Sequence, residues 1–353
     1  MFPPCLNVLV QKIRKSPTVP PFEAVYEIEN LYSAWHKVCL GKTSKPSILD
    51  FHRNLDQNLL SIADDLRNET YRPGPYNRFL IKDPKERIIA ASPVRDRVVQ
   101  HAMMNFYDPV FDRQLIFDSY ACRLGKGTHK AVLRAFHFAK GKTVSSSSRY
   151  FLKMDVRKYF DSIDHATLKT QLAKIVSDKK ALQVFYLIID SGLSLSDKGM
   201  PIGNLTSQYF ANHYLSPFDR YFKEQCRAKH YIRYMDDIVI LSDSKNEINN
   251  FYIKAVCYAN EKLKLELKPQ VSGAVTGGVP FLGFLVKPTG IYLQQKTKQR
   301  YKARLAEIEH SRKNGILSEQ EAGDRIESVT AHLLIAQSRS FRNNVLHRRV
   351  FGV

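Results

Sequence analysis

Apolar residues recur every three or four positions over residues 23–70, which predicts helices that each bury one face. The more regular of two apolar stripes there consists of Phe51, Leu55, Leu59, Ile62 and Leu66. Gly41 supplies a stop between the two helical stretches, and the prolines of YRPGPY, residues 71–76, end the second one. The chain therefore begins with a predominantly helical region.

Short apolar runs separated by turns follow from residue 76 onward. Residues 76–91 predict a β-hairpin with strands at 79–81 and 88–89 and a turn at 83–86. A helix is expected from Val94 to Tyr107, where Pro109 should end it. A glycine turn and a basic helix are predicted over 125–140, and Ser145–Ser148 is expected to be a flexible loop.

The second half alternates strands and helices without a repeated strand–helix–strand period. Residues 149–164 predict a strand that becomes helical after Asp155, and residues 230–242 predict two strands around Met235–Asp237. The other predicted elements are helical segments at 165–191 and 245–265, a loop and amphipathic helix at 199–226, a hairpin at 279–293 turning at 288–290, and basic helices at 294–353. This order indicates an α+β fold with an antiparallel sheet and no internal repeat.

Charge points to a polyanionic partner. The chain has 54 Lys and Arg against 34 Asp and Glu, a formal net charge of +20, in an otherwise globular composition with 44% hydrophobic and 25% charged residues. Nucleic acid is the first candidate partner, an anionic membrane surface the second, and a merely solvated basic surface the alternative. Five widely spaced cysteines without a CxxC pair argue against a disulfide framework and a zinc site, and fit a reducing cytosol. With no secretory signal and no long apolar run, the expectation is a cytoplasmic protein without a membrane segment.

Three carboxylates carry the candidate chemistry. Asp155 follows the apolar strand FLKM, and Asp236 and Asp237 lie at the tip of a strand–turn–strand. Adjacent anions at a tight turn repel each other unless something positive holds them, and clustered carboxylate oxygens suit Mg²⁺. Two such ions can support phosphoryl transfer. The alternative for the Asp pair alone is an ordinary hairpin turn, and Asp161 and Asp164 are interpreted as surface or cap residues.

These motifs resemble those of reverse transcriptases. YMDD at 234–237, KMDVRKYFDSIDH at 153–165 and VPFLGF at 279–284 are similar to the catalytic and primer-grip motifs of that family, and the similarity runs from about Tyr71 to Leu293. The resemblance implies a right-hand polymerase fold and RNA-templated DNA synthesis with two Mg²⁺ ions, for which Mn²⁺ can substitute. It assigns both metals to Asp155 and Asp236, with the Val156 backbone carbonyl as a further ligand and Asp237 as a less direct third carboxylate.

The same resemblance assigns the nucleotide- and primer-binding residues. Lys82 and Arg87 would hold the triphosphate, and Phe160 would exclude a 2′-hydroxyl; the alternatives are surface charge for the cations and core packing for the ring. The remaining assignments are Ile202 and Gln208 for the dNTP, Lys268 as a proton donor to pyrophosphate, and Phe281, Leu282 and Gly283 as the primer grip. By domain, the resemblance implies an N-terminal helical extension at 1–70, fingers at 71–150 with part of 165–200, a palm at 151–293, and a thumb at 294–353.

A variant motif indicates the subfamily. PIGNLTSQ at 201–208 has Ile202 and Gln208 where many bacterial relatives have Gln and Pro, and this resembles the reverse transcriptases of diversity-generating retroelements. That subfamily copies a template-repeat RNA into cDNA with adenine-biased errors, and it implies template RNA, cDNA, dNTPs and a basic pentameric accessory variability protein as partners. The alternatives within the family are retron, group II-like and abortive-infection enzymes, and VTG at 275–277 is similar to a retron feature.

Two other classes of protein share part of this pattern. A two-metal nuclease also needs clustered carboxylates, but it does not need an aromatic residue five positions after the first Asp or cations for a triphosphate. A non-enzymatic RNA-binding protein would tolerate loss of Asp155, Asp236 or Asp237, yet all three are present. In the basic C-terminal region, 12 Lys and Arg against 6 Asp and Glu fit contacts to a nucleic-acid backbone, the alternative being a solvated helix.

Overall fold

A computed structural model of the chain describes residues 20–82, 86–140, 149–192 and 197–350. The α-helices in these ranges are, in chain order, α1 Ile28–Cys39, α2 Pro46–Arg53, α3 Leu55–Arg67, α4 Val94–Gln114, α5 Thr128–Lys140, α6 Tyr159–Ser162, α7 His165–Leu172, α8 Lys179–Asp190, α9 Leu205–Tyr214, α10 Ser216–Arg220, α11 Lys245–Leu263, α12 Gln295–Lys313, α13 Glu319–Ala331 and α14 Arg339–Val350. Short 3₁₀ turns at Phe22–Val25 and Val275–Gly277 and a π turn at Tyr221–Gln225 complete the helical elements of these ranges. No helix in the described ranges is long and apolar enough to span a bilayer.

The strands of the described residues form three antiparallel sheets. They are β1 Asn77–Ile81, β2 Arg87–Ala91, β3 Tyr150–Met154, β4 His230–Tyr234, β5 Asp237–Ser242, β6 Val271–Ala274, β7 Val279–Phe281, β8 Phe284–Lys287 and β9 Gly290–Leu293. β1 pairs with β2, a four-stranded sheet has the order β4-β5-β3-β6, and a three-stranded sheet has the order β7-β8-β9. The α+β class with antiparallel sheets is therefore confirmed.

The described residues pack as two units. The first contains the residues up to Ile116 together with Arg157–Asp219 and Tyr258–Glu266. Within it α1 packs on α4, and the rings of Phe111, Phe185 and Phe210 meet edge-on or tilted at 5.6–6.0 Å between centroids. This aromatic cluster is part of the buried core of the first unit, which also contains the β1–β2 hairpin.

The second unit contains Phe117–Val156, Arg220–Cys257 and the residues from Leu267 onward. Its core is built from α5, the four-stranded sheet, the three-stranded sheet and the C-terminal helices. Buried members from these elements include Phe138, Phe151, Val239, Phe281 and Leu305. Consecutive residues of β5 from Ile238 to Leu241 are buried, so both faces of the four-stranded sheet are covered, and the turn between β4 and β5 carries Asp236.

Several predicted boundaries differ from the structure. The stripe from Phe51 to Leu66 lies on two helices, because the backbone leaves the helical region at Asn54 (φ −122°, ψ 43°). Pro109 lies inside α4 instead of ending it; the helix continues because Val110 and Phe111 are buried, which offsets the roughly 3 kcal/mol that an internal proline costs. Residues 165–191 form two helices, the second capped by Asp178.

The region 279–293 is a three-stranded sheet with two turns, whereas a single hairpin was predicted. The missed turn is Leu282–Gly283, where both residues have positive φ values of 49° and 86°. The turn was missed in the sequence because one of its two residues is Leu282, and leucine rarely adopts this backbone conformation. The predicted turn at 83–86 falls mostly, and the Ser145–Ser148 loop wholly, outside the described residues.

Candidate active site

A two-residue turn carries the paired aspartates. Tyr234 at the end of β4 pairs with Asp237 at the start of β5, so Met235 and Asp236 alone form the tip. Met235 has φ +54°, a strained conformation for a side chain of this size. The guanidinium Nη1 of Arg233 donates to the Met235 carbonyl oxygen at 3.0 Å, and Arg233 is fully buried. A buried cation therefore holds the backbone of the turn in place.

Strand register brings Asp155 to the same end of the sheet. β3 pairs antiparallel with β5, and Met154 lies opposite Ile238. Asp155, directly after Met154, is therefore at the level of Asp237, directly before Ile238. The backbone N–H of Lys268 donates to the Asp155 carbonyl oxygen at 2.9 Å and fixes the chain as it leaves the strand.

Two lysines hold this carboxylate cluster in the structure. Lys153 Nζ lies 2.9 Å from Asp237 Oδ2, and Lys268 Nζ donates to Asp155 Oδ1. Burial raises the pKa of Asp237 to about 6, although Lys153 opposes the shift, and the nearby charges of Asp155 and Asp236 raise it further. The cluster is thus an acidic spot that requires compensating positive charge.

The donor set fits a hard divalent cation. Asp237 Oδ1 is buried and accepts no hydrogen bond from the described part of the chain, so it has unused acceptor capacity. Carboxylate oxygens from Asp155, Asp236 and Asp237 are the ligands that Mg²⁺ and Mn²⁺ prefer. Within the described ranges, however, no three Asp, Glu, His or Cys side chains gather closely enough to form a metal site by themselves. Oxygen atoms of a substrate or of the backbone, such as the Val156 carbonyl, would have to complete the coordination.

The residues expected to bind nucleotide belong to the first unit. Lys82 and Arg87 lie on the β1–β2 hairpin and are exposed; Lys82 Nζ is 3.8 Å from Glu86 in a solvated pair. Phe160 lies on α6 and is partly exposed, whereas its neighbour Tyr159 is buried and packs edge-on against it at 5.8 Å. Tyr159 therefore fills the core position, which leaves the Phe160 ring available for a ligand.

The IGNLTSQ motif forms a loop and the first turn of α9. The Ala90 N–H of β2 donates to the Ile202 carbonyl oxygen at 2.9 Å. Gly203 has φ +122°, and a Cβ there would lie 2.9 Å from Ile89 Cγ2. Ile202 is partly buried and Gln208 is exposed on α9. The loop is thus attached to the hairpin that carries Lys82 and Arg87.

The three residues expected to form a primer grip lie on β7 and its turn. Phe281 is fully buried in the core of the second unit, while Leu282 and Gly283 form the turn. Thr297 Oγ1 donates to the Gly283 carbonyl oxygen at 2.6 Å. Only the turn residues are thus presented at the surface.

The sequence interpretation missed Lys153 and Arg233. Both lie next to the candidate carboxylates, in FLKMD and YIRYMDD. A charged residue inside an otherwise apolar strand is the signal that could have identified each of them, since a buried charge requires a partner.

The interpretation of Asp164 as a cap was correct, because it accepts from the Thr167 N–H at the start of α7, and it also pairs with Lys264 at 2.9 Å.

Comparison with known proteins gives similarities in both sequence and fold. A family model described as reverse transcriptase (RNA-dependent DNA polymerase) matches residues 81–286, more than half of the chain. Protein YkfC of Escherichia coli K12 is 26% identical over 172 residues, which cover 46% of this chain and 45% of YkfC. The group II intron-encoded protein LtrA of Lactococcus lactis subsp. cremoris is 26% identical over 182 residues, covering 47% of this chain and 28% of LtrA. The matches thus span less than half the length of these relatives.

Among solved structures, apo telomerase from Candida tropicalis superimposes with a TM-score of 0.50 at 12% identity. The superposition covers 79% of this chain and 60% of the telomerase chain. At this identity the similarity concerns the fold alone, and it supports the right-hand polymerase fold.

Proposed function

The chain belongs to the reverse transcriptase (RNA-dependent DNA polymerase) family, and we propose that it copies RNA into DNA by nucleotidyl transfer from dNTPs. The observation that carries this proposal is the carboxylate cluster of Asp155, Asp236 and Asp237 at one end of an antiparallel sheet, with Lys153 and Lys268 in contact with it. Nucleotidyl transfer requires neutralisation of phosphate charge more than covalent help from the protein, and this cluster suits that task.

In the proposed reaction the primer 3′-hydroxyl loses its proton to water, its oxygen forms a bond to the α-phosphorus, and the bond from that phosphorus to the leaving oxygen of pyrophosphate breaks. Asp155, Asp236 and the Val156 carbonyl would hold two Mg²⁺ ions, or Mn²⁺ in their place, which would activate the attacking hydroxyl and stabilise the leaving oxygen. Asp237, paired with Lys153, would adjust the electrostatic potential at the other two carboxylates. Lys268, whose Nζ lies at Asp155, would supply the proton that pyrophosphate takes up.

The other roles are those that the resemblance to reverse transcriptases implies, and the exposure and chemistry of the side chains support them. Lys82 and Arg87 are exposed cations on one hairpin and suit charge-assisted contacts to a triphosphate. The partly exposed Phe160 ring suits exclusion of a 2′-hydroxyl, with Ile202 and Gln208 also contacting the nucleotide. The turn at Leu282–Gly283, on the buried support of Phe281, would contact the primer.

The domain assignment follows the same resemblance. We assign 71–150, with part of 165–200, to fingers, 151–293 to the palm and 294–353 to a helical thumb, preceded by a helical extension at 1–70. The four-stranded sheet within the proposed palm and the three helices α12 to α14 within the proposed thumb support this division.

Primer extension tests the proposal directly. The full chain, an RNA template with an annealed DNA primer, dNTPs and Mg²⁺ should give lengthened primers, and Asp236→Asn should abolish extension. Asp243→Asn is the matched control, because Asp243 follows the same strand β5 but pairs with Arg149 away from the turn. Shortened primers would instead indicate a two-metal nuclease, and retained RNA binding without any product would indicate a binding protein.

For the subtype, we propose a diversity-generating enzyme that copies a template-repeat RNA with adenine-biased errors. The supporting feature is Ile202, an apolar residue in a loop attached to the hairpin by the Ala90–Ile202 hydrogen bond. A Gln at this position can hydrogen-bond the nascent base pair and enforce its geometry, whereas Ile cannot. With Ile, a mispair is therefore disfavoured less strongly relative to a correct pair. Ile202→Gln should lower misincorporation opposite template adenine, measured by sequencing cDNA, and an unchanged adenine error rate would exclude this role.

A group II-like enzyme is the second candidate for the subtype, favoured by the similarity to LtrA, and retron or abortive-infection enzymes are further alternatives. The neighbouring DNA discriminates between them. A pair of near-identical repeats that differ at adenines is expected beside the gene of a diversity-generating enzyme and not beside the others.

The proposed macromolecular partners are template RNA, its cDNA and a basic pentameric accessory variability protein. The net charge of +20 supports the nucleic acids, and the subtype alone supports the accessory protein. Co-purification of the tagged full chain with the product of an adjacent small basic gene, followed by mass measurement of the complex, tests the protein partner.

A further inference from the structure

A hydrogen-bonded chain of three side chains links the IGNLTSQ loop to the base of the β1–β2 hairpin. Asn204 Nδ2 lies 2.9 Å from Tyr76 Oη, and Tyr76 Oη lies 3.1 Å from Ser191 Oγ. Tyr76 directly precedes β1, Ser191 follows α8, and Asn204 is the N-cap residue of α9. One phenol thus contacts two elements that are distant from it in sequence.

The direction of each hydrogen bond in this chain follows from the last acceptor. Ser191 Oγ donates its proton to the Ile188 carbonyl oxygen at 2.8 Å, so it accepts from Tyr76. Tyr76 then has only lone pairs left, and Asn204 must point its NH₂ group at them. The phenol therefore fixes which way the Asn204 amide faces. Burial raises the pKa of Tyr76, so the phenol stays protonated and the chain keeps this direction at neutral pH.

Asn204 is well placed to transmit this restraint. Its side chain is 2% exposed, and its Oδ1, on the side away from Tyr76, accepts no hydrogen bond from the described residues. It lies two residues after Ile202, whose carbonyl oxygen is bound by the Ala90 N–H, and one after Gly203, which touches β2. The loop is therefore attached to the hairpin at two points, to β2 through Ala90 and to the start of β1 through Tyr76.

We propose that Tyr76 is a positioning residue for nucleotide selection, which acts through Asn204 to hold the 202–208 loop in register with the hairpin carrying Lys82 and Arg87. This inference rests on the proposed polymerase function. It makes the geometry of the Ile202 position depend on a hydroxyl group that touches no substrate. Loss of that hydroxyl should therefore affect which nucleotide is bound and accepted, while the carboxylate chemistry of the second unit continues.

Tyr76→Phe is the test, because it removes one oxygen and keeps the ring. In steady-state primer extension we expect the KM for dNTP to rise about three- to tenfold, the size of one lost neutral hydrogen bond, with kcat changed less than twofold. The misincorporation frequency should change at least about threefold in the same assay, since a loosened loop alters discrimination.

Tyr186→Phe is the matched control. The Tyr186 hydroxyl, on α8 in the same unit, donates to the Lys169 carbonyl oxygen at 3.1 Å, so its hydrogen bond involves neither the loop nor the hairpin. Its removal should leave KM and misincorporation unchanged. The proposal is overturned if Tyr76→Phe leaves both quantities within twofold of the unsubstituted chain, or if Tyr186→Phe changes them equally.

Amide hydrogen exchange separates this inference from the proposed function. Tyr76→Phe should accelerate exchange at the Ala90 amide and the amides of residues 203–206, and Tyr186→Phe should not. If the unsubstituted chain extends no primer, the polymerase proposal fails while this measurement still decides the coupling. Unaltered exchange at these amides in Tyr76→Phe would refute the coupling whether or not the chain polymerises.

Discussion

The ammonium group of Lys153 lies 2.9 Å from Oδ2 of Asp237, on neighbouring strands of one antiparallel sheet. Both side chains are about four-fifths buried, with exposures of 21% and 18%. Lys153 lies two residues before Asp155, and Asp237 belongs to the YMDD turn. The ion pair therefore joins two aspartate motifs that are far apart in sequence.

Lys153→Met should destabilise the protein and weaken polymerisation. It leaves Asp237 as a largely buried carboxylate without its partner, which costs about 1–3 kcal/mol of unfolding free energy. Urea unfolding should show a lower midpoint in the absence of divalent ions, and Mg²⁺ should restore part of the loss by supplying positive charge. Lys254→Met, at an exposed position on α11, should leave the midpoint unaltered. Equal midpoints for the two variants would contradict this assignment.

Arg233→Met should disrupt the turn that carries Asp236. The substitution keeps a long side chain but removes the donor to the Met235 carbonyl and a fully buried charge. We expect a loss of roughly 2–5 kcal/mol in unfolding free energy together with strongly reduced primer extension. Arg233→Lys keeps the charge but not the planar fork and should rescue the activity only partly. Full activity in the Met variant would show that the turn does not need this support.

Gly203→Ala should strain the loop in two ways, through its backbone conformation and through steric contact with β2. The residue has φ +122°, and the added Cβ would lie 2.9 Å from Ile89 Cγ2 and 3.2 Å from the Ala90 carbonyl oxygen. The strain should cost about 1–3 kcal/mol and raise the KM for dNTP. Gly125→Ala is a control for backbone conformation alone, because it also has positive φ but no atom within 4 Å of the new Cβ. If both variants change KM alike, contact with the hairpin is not the cause.

Phe160→Val should relax discrimination against ribonucleotides. The smaller side chain would admit a 2′-hydroxyl, and the ratio of kcat/KM for rNTP to that for dNTP should rise roughly 10- to 100-fold. Tyr159→Phe, which alters the adjacent buried ring, should not change that ratio. If the Val variant still rejects rNTP, the Phe160 ring packs in the core and does not exclude the 2′-hydroxyl.

Acid should destabilise the fold through His101. Burial, followed by the charges of Lys37, Lys42 and Arg97, lowers the pKa of His101 to about 4 from the usual 6.5. Between these values the unfolded chain binds a proton that the folded chain does not, so stability falls as pH decreases from 6.5 to 4 and is unaffected by His101 above 6.5. The loss at pH 4 is at most about 3 kcal/mol.

His101→Gln removes this titration and supplies the check. The stability difference between the two proteins, measured by urea unfolding at intervals from pH 7.5 to pH 4, should move in favour of the Gln variant as pH falls. Carboxylates titrate equally in both proteins and cancel in the difference. A difference that is constant with pH would show that His101 has an ordinary pKa in the folded state.

Much of this molecule was predictable from local pattern. The apolar runs around Asp155 and the Met235–Asp237 turn identified the strands, because period and turn chemistry are local properties. The helices α1, α5 and α11 and the β1–β2 hairpin were predicted with small errors at their ends. The carboxylates were selected as candidates because YMDD lies between two apolar strands and KMDVRKYFDSIDH lies upstream of it, a combination that resembles reverse transcriptases.

The remaining features depended on tertiary contacts. The α4 helix continues through Pro109 because Val110 and Phe111, which follow it, are buried. Helix propensities of the neighbouring residues do not predict that burial. Likewise, the positive φ values of Met235 and Leu282 are imposed by the strands that flank them.

By itself the sequence determined the class of fold, the identity of the acidic residues and the excess of basic charge, since each follows from composition or from neighbours in the chain. Only the tertiary structure decided that Lys153 pairs with Asp237, that Arg233 holds the turn, and that Tyr76 orients Asn204. Each of these contacts joins strands, helices or loops whose register is set by core packing. A hydrogen bond or ion pair acts over about 3 Å, and the register of packed elements is what brings such groups within that distance.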